Sequence, residues 1–244
     1  MNKYYIASCS NGVDSLAMVL RLILEKKPLN EIIFYDTGME FSAIYKNWLE
    51  LKNYTEACGI KCTRLTPSCP FEYKMFHIVV NKGKENEHCG YQWCGGRCRW
   101  GTTEKLKALD KYCEDRNAYC YIGITADEKK RLAKKKKPYK IHPLAEWGMD
   151  KQDCIEFCRE RGITWLENGI DLYEILDRVS CWCCANKNQW ELYNMWRFLP
   201  EYWEKLKEYQ RRLSRPFKKN YSIFDLEKRF VSGYIPKHRK RRAA

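Results

Sequence analysis

Ser10-Asn11-Gly12-Val13-Asp14-Ser15 follows a short apolar run, Tyr4-Tyr5-Ile6-Ala7, and opens a helical pattern, Leu16-Ala17-Met18-Val19-Leu20. A strand, a tight turn of small residues and a helix N-terminus together make an anion site. The N–H groups of the turn converge there, and the helix dipole adds partial positive charge. Gly12 admits backbone angles that other residues resist and lets a phosphate come close. Ser10 and Ser15 add hydroxyl donors. On its turn chemistry alone, the stretch also reads as an ordinary capped strand-to-helix turn. One unit later, Glu31-Ile32-Ile33-Phe34-Tyr35 reads as a buried strand, and Asp36-Thr37-Gly38-Met39-Glu40-Phe41 follows it. Both segments fall at the carboxyl ends of strands, where open parallel sheets bind their ligands.

Outward from these two loops, strands are expected near residues 3–7, 31–35, 61–65 and 119–124. Helices are expected near residues 14–26, 42–58, 102–113, 151–161 and 186–199. The alternation implies an α/β fold, an open, mainly parallel twisted sheet with helices on both faces. Residues 81–100 are polar and Gly-rich and read as a long functional loop. Past Pro200 the chain is rich in charge and aromatics, with Trp203, Tyr209, Arg211, Arg212, Tyr221 and Phe224. This predicts a domain over residues 1–199 and a small helical C-terminal appendage over 200–244, ending in a basic tail.

The 244 residues are 45% hydrophobic, enough for a sizeable core. No apolar run approaches the roughly 18 residues of a membrane span, and the N-terminus lacks the apolar core of a signal peptide. The expected location is cytoplasmic, with no membrane partner. Lys and Arg number 45 against 31 Asp and Glu, a formal net charge of +14. Lys129-Lys130-Arg131 and residues 134–137 crowd one loop, expected at the same sheet edge as the phosphate turn. Lys237-His238-Arg239-Lys240-Arg241-Arg242 forms the tail. Clustered cations favour a polyanion, either nucleic acid or a nucleotide. A solvated basic loop and tail would carry the same charge.

Fourteen cysteines in a chain of this length point to metal or redox roles. Cys94 and Cys98 are spaced Cys-x-x-x-Cys, and Cys181 and Cys184 Cys-x-x-Cys. Two such pairs supply four thiolates, the set that tetrahedral zinc or a cubane iron–sulfur cluster takes. Gly95 and Gly96 let the first loop fold round a metal, and Arg97, Arg99 and Arg178 would offset thiolate charge. Cys89 and Cys183 are spare ligands. Cys9, Cys58, Cys62, Cys69, Cys113, Cys120, Cys154 and Cys158 read as small packing residues. His142 is a lone histidine.

Ser-x-Gly-x-Asp-Ser after the first strand, with Asp-x-Gly-x-x-Phe after the second, resembles the PP-loop ATP pyrophosphatase superfamily, and within it the phosphoadenosine phosphosulfate (PAPS) reductase family. Asn11 departs from the usual motif. Ile122-Gly123-Ile124-Thr125-Ala126-Asp127-Glu128 with Arg131, His142-Pro143-Leu144-Ala145-Glu146-Trp147, Leu172-Tyr173 and Arg178-Val179-Ser180-Cys181-Trp182-Cys183-Cys184 are similar to that family's later elements. The likeness runs over residues 3–190.

The resemblance implies an adenine nucleotide, ATP or PAPS, with Mg²⁺. Its phosphates would lie on Ser10, Asn11, Gly12, Val13, Asp14 and Ser15, with Asp36, Thr37, Gly38, Lys130 and Arg131 completing the nucleotide site. Asp14, Asp36 and Arg131 would be catalytic. Asp14 would cap the helix or hold Mg²⁺, Asp36 would contact metal or ribose, and Lys130 and Arg131 would clamp phosphate. A 4Fe–4S cluster on Cys94, Cys98, Cys181 and Cys184 is implied, with Zn²⁺ as the alternative. The implied activity is adenylation with pyrophosphate release coupled to sulfur transfer, for example to nucleic acid, with a cysteine desulfurase as sulfur donor. Thiol-dependent reduction of PAPS or adenylylsulfate is an alternative, but the chain has no cysteine after Cys184 where that branch carries its reactive one. A non-catalytic nucleic-acid-binding protein on the same scaffold is the third reading.

Overall fold

The computed structural model describes residues 3–96, 98–135 and 137–238, with backbone only at residues 99 and 100. In chain order the elements are β1 (Tyr4–Ser8), α1 (Val13–Leu24), β2 (Glu31–Tyr35), α2 (Ser42–Ala57), β3 (Lys61–Leu65), α3 (Phe71–Phe76), β4 (Val79–Val80) and β5 (His88–Cys89). A π-helical turn, Arg99–Thr103, leads into α4 (Glu104–Glu114), β6 (Ala118–Ile122), α5 (Lys129–Leu132), β7 (Lys140–Ile141), α6 (Pro143–Glu146) and α7 (Lys151–Arg159). Then come β8 (Leu166–Glu167), β9 (Ile170–Asp171), α8 (Leu172–Ile175), α9 (Gln189–Phe198), α10 (Pro200–Arg212) and α11 (Ile223–Val231).

Five strands form a parallel sheet in the order β3-β2-β1-β6-β7. All five residues of β2 are buried, as a strand covered on both faces requires. Its first residue, Glu31, is buried with a carboxylate that accepts from the hydroxyls of Tyr112 (2.8 Å), Tyr4 (3.2 Å) and Thr63 and pairs with Lys61 at 3.1 Å. One sheet face packs α1, α2 and α7; the other packs Leu109 and Cys113 of α4 against Ile6, Ile33 and Cys120. The chain order reverses between β1 and β6, which opens a crevice beyond their carboxyl ends.

α1 buries Leu16, Ala17, Met18, Val19 and Leu22 at helical spacing. Its partner α7 offers Cys154 and Cys158, both fully buried, as the core reading of that pair expects. Cys58, expected to pack, is exposed, and Cys62 and Cys69 are only half-buried. Residues 81–100 are not one unbroken loop: β5 lies within them and pairs antiparallel with β4 just before. Gly90 fixes the return, since a Cβ there would lie 2.0 Å from the Met75 carbonyl oxygen.

The C-terminal helices are not peripheral. Tyr202, Trp203, Leu206, Tyr209, Leu213, Phe217, Leu226 and Phe230 belong to the same buried core as α1 and α2. α10 is amphipathic at helical spacing, and its apolar stripe needs the partner that the domain supplies. Among the described residues no helix is long and apolar enough to cross a membrane.

Candidate functional site

The Ser10–Ser15 loop runs from β1 into α1. Its left-handed residue is Asn11 (φ 58°), not Gly12, which is extended (φ −78°). Gly12 serves by close approach instead: a Cβ there would stand 3.3 Å from the Tyr173 hydroxyl oxygen. Asn11 is wholly buried, and the Trp165 indole N–H donates to its carbonyl at 2.8 Å. The Val13 N–H donates to the Tyr173 hydroxyl at 2.8 Å, while Ser15 Oγ accepts from the Ser10 N–H at 3.1 Å and donates to the Gly12 carbonyl at 3.0 Å. Gly123, after β6, is a second close approach: a Cβ there would stand 3.2 Å from the Asp14 and Ser15 backbone.

Asp14 faces inward from the first turn of α1. Its Oδ1 is buried without a hydrogen-bond partner, as is Asn11 Nδ2. Burial pushes the Asp14 carboxyl up to about 6, against the pull of Lys151 and Arg131. A buried oxygen without a donor is costly, and a cation or ligand group arriving there satisfies it.

The loop forms one end of a cavity of about 400 Å³. Of the residues expected at the nucleotide, Ser10, Gly12, Val13, Asp14, Ser15, Thr37 and Arg131 line it. Asn11, Asp36, Gly38 and Lys130 do not. Asn11 is structural beneath the loop. Asp36 is buried, with Oδ1 accepting from the Gly38 N–H (2.7 Å) and Tyr45 hydroxyl (2.8 Å) and Oδ2 from Arg64 Nε (2.9 Å) and Nη2. That carboxylate is occupied in shaping its own loop. The basic loop contributes only Arg131, which also bonds Glu128 at 2.6 Å. Lys137 turns instead to Asp110 and Glu114 of α4, and Lys136 lies outside the described residues. The remaining cations of the lining are Lys105, Lys151 and Arg178, of which sequence reasoning singled out only Arg178. No motif marks Lys105 or Lys151; helix starts at the crevice were the available signal.

Thiols share this lining. Cys94, Cys98, Cys181, Cys183 and Cys184 line the same cavity. Cys94 and Cys98 interact with one another, and Cys181 lies within electrostatic reach of Cys98 and Cys184. The Cys98 thiol is pushed up by its hydrogen bond with Cys94 and by burial; burial does the same to Cys181 and Cys183. Among the described residues no three His, Cys, Asp or Glu side chains are gathered tightly enough to hold a metal. The donor chemistry suits a soft cation, and buried thiols of this kind surrender their protons to one. Lys187, 1% exposed, stands behind this wall, its Nζ 3.4 Å from Ser180 Oγ. Arg97 and the Arg99 side chain, expected to offset thiolate charge, lie outside the described residues, as do residues 239–242 of the tail. Cys89 is exposed on β5 and away from the cavity lining.

Both cysteine segments rest on distant structure. Trp93 is buried, donates its indole N–H to Gln210 Oε1 at 3.1 Å, and meets Phe217 edge-on at 4.7 Å. Gln92 Oε1 accepts from the Arg215 N–H at 2.7 Å. Lys218 Nζ donates to the carbonyls of Ala185 and Lys187. The second segment also grips the Asp36–Phe41 loop. The Trp182 N–H donates to the Met39 carbonyl at 3.0 Å, and Cys181 Sγ lies 3.5 Å from Thr37 Oγ1 and 3.7 Å from Glu40 Oε1. Glu40, which the sequence did not single out, lines the cavity with its carboxyl raised by burial.

No family model matches the chain. It is 28% identical over 230 residues to an uncharacterized protein of Methanocaldococcus jannaschii, covering 86% of this chain and 42% of that protein. The chain thus spans less than half the length of this curated relative. Among solved structures it is similar to the U34-tRNA thiolase NcsA from Methanococcus maripaludis, determined with its 4Fe–4S cluster. The TM-score is 0.46 at 14% identity, covering 86% of this chain and 71% of that one.

Proposed function

We propose that the chain is a PP-loop-type enzyme that binds ATP on the Ser10–Ser15 loop, adenylates an acceptor with release of pyrophosphate, and passes sulfur to it. The observation that carries this reading is a single cavity lined both by the anion loop and by five thiols. Nucleotide and sulfur chemistry thereby share one chamber.

In this reading the N–H groups of the loop and the α1 N-terminus hold the phosphates, with Ser10 and Ser15 turning their hydroxyls outward on binding. Arg131 and Lys151 neutralise charge as an acceptor oxygen attacks the α-phosphorus and pyrophosphate leaves. A sulfur nucleophile then displaces AMP. Asp14, with its unpaired Oδ1, would hold Mg²⁺, directly or through water. Asp36 and Gly38 shape the second loop, Thr37 lies along the nucleotide, and Lys130 meets phosphate at the rim. Cys94, Cys98, Cys181 and Cys184 would hold a 4Fe–4S cluster, with zinc as the alternative, once drawn together by it; the bound group would supply a Lewis-acidic, sulfur-binding centre. The net charge of +14 supports nucleic acid as the acceptor. A cysteine desulfurase is the matching donor, in the cytoplasm. Sulfonucleotide reduction is less well supported, because burial raises Cys181 and Cys183 away from the low-pKa thiolate that it needs.

The deciding experiment is pyrophosphate release from ATP by anaerobically purified protein, with iron and zinc measured on the same sample. Release together with about one cluster per chain is expected. Asp14→Ala should lower release by at least about 10²-fold, the scale of removing one electrostatic contact at a transition state. Absence of release with RNA acceptors present, or unchanged turnover in Asp14→Ala, overturns the reading.

A further inference from the structure

The two cysteine segments are joined directly by one side chain. Asn186 lies two residues after Cys184, and Gly96 lies midway between Cys94 and Cys98. The Gly96 N–H donates to Asn186 Oδ1 at 2.8 Å, and Asn186 Nδ2 donates to the Gly96 carbonyl at 2.7 Å. One amide thus satisfies both backbone groups of one residue, as a neighbouring strand would. Two antiparallel bonds fix orientation as well as distance, which a single bond does not. Gly96 is left-handed (φ +69°), a conformation that glycine adopts without strain and that turns its N–H and C=O toward the amide.

The side chain is also in the right place. Asn186 lines the same cavity as the thiols, so the clasp is part of the site wall and not buried support beneath it. Other ties of the two segments run to different parts of the fold: from Trp93 to Gln210, from Lys218 to the carbonyls of Ala185 and Lys187, and from Trp182 to the Met39 carbonyl. Those ties hold a segment to the C-terminal region or to the Asp36–Phe41 loop. The Asn186–Gly96 pair sets one segment against the other.

We propose that Asn186 is a positioning residue that fixes the separation of the Cys94–Cys98 and Cys181–Cys184 arms, so that four thiols act as one centre and not as two independent pairs. This rests on the thiol-site reading above. The chemistry of the side chain is specific. Aspartate can accept from the Gly96 N–H but cannot donate to its carbonyl, and alanine does neither.

The test uses the reduced, metal-free full chain and dibromobimane, which bridges two nearby thiols, with bridged peptides quantified by mass spectrometry. The ratio of cross-arm bridges (Cys98 to Cys181, or Cys94 to Cys184) to the within-arm Cys94–Cys98 bridge should fall several-fold in Asn186→Ala. In Asn186→Asp it should fall by less. Cobalt(II) titration, read by its thiolate charge-transfer band, should show about a tenfold or greater loss of affinity in Asn186→Ala, the usual scale for removing an outer-shell support. A wild-type bridging ratio in Asn186→Ala overturns the proposal. Should Asn186→Ala lose its circular-dichroism signature, Asn186→Asp and Gly96→Ala decide by the same ratio. If the wild-type chain binds no cobalt, the metal reading falls, while the bridging ratio still decides the role of Asn186.

Discussion

The anion loop and the cysteine arms are two walls of one cavity, and they are built in opposite ways. The loop is six consecutive residues whose shape comes largely from themselves: Ser10 to Ser15, Ser15 to Gly12, and the left-handed Asn11. Its few outside contacts, Trp165 and Tyr173, buttress a turn that β1 and α1 already specify. The arms have little regular structure of their own. Their thiols line one cavity with the support of Trp93 on Gln210, Lys218 on the 185–187 backbone, and Asn186 on Gly96. Local order withstands loss of a distant contact, whereas assembled order does not.

The largest effect should come from cutting an arm's anchor. Trp93→Ala removes a fully buried aromatic and should cost about 3–5 kcal/mol. It should lower bound metal severalfold while ATP affinity of the folded fraction changes by less than about twofold, since pairs without shared partners are nearly additive. Equilibrium unfolding, metal analysis and nucleotide titration on one preparation check this. An equal loss of nucleotide affinity would break the comparison, because it would make the two walls one unit.

A smaller effect of opposite sign is expected in the loop. The Asp14 carboxyl sits at about 6, above its unfolded value, because burial disfavours its charge. The folded state therefore binds more protons than the unfolded one in the window between about 4 and 6. Stability from this group falls as pH rises through that window, and the cost is fully present above it. Asp14→Asn should stabilise the nucleotide-free chain at pH 7 by about 2 kcal/mol and flatten that pH dependence, seen in melts from pH 4 to 7. A less stable Asp14→Asn would mean that Lys151 and Arg131 outweigh desolvation.

The smallest effect concerns the charge of the basic tail. Deleting residues 239–244 removes four cations: Arg239, Lys240, Arg241 and Arg242. The slope of log K against log salt for an RNA hairpin should shrink by up to about three, with ATP affinity unchanged. An unchanged slope would assign the polyanion surface to Lys105, Arg178 and the 129–135 loop instead.

The loop and sheet were legible because their signals are short-range. β2 and β3 fall over residues 31–35 and 61–65, where strands were expected, and α1 begins one residue before the expected start. The two-residue β7 and the β4–β5 pair carried too few residues for a period to show. Gly12 was read for its backbone freedom, yet its backbone is extended and what crowds a Cβ there is the tertiary neighbour Tyr173. Asp36 looked like a free acid in a loop, and only the fold brings Arg64 and Tyr45 to it. Lys105, Lys151, Glu40 and Asn186 carry no motif and are recognised only by the cavity they share.

By itself the sequence determined the α/β alternation, the anion turn at the end of the first strand and the presence of two close cysteine pairs, because periodicity, turn chemistry and spacing act within a few residues. Only the tertiary structure decided that both pairs face the cavity of that turn, and that the C-terminal helices belong to the same core. Residues 96 and 186 stand ninety positions apart. No local pattern encodes a contact of that range; it follows from burying the apolar faces of α9, α10 and α11 against the rest of the chain.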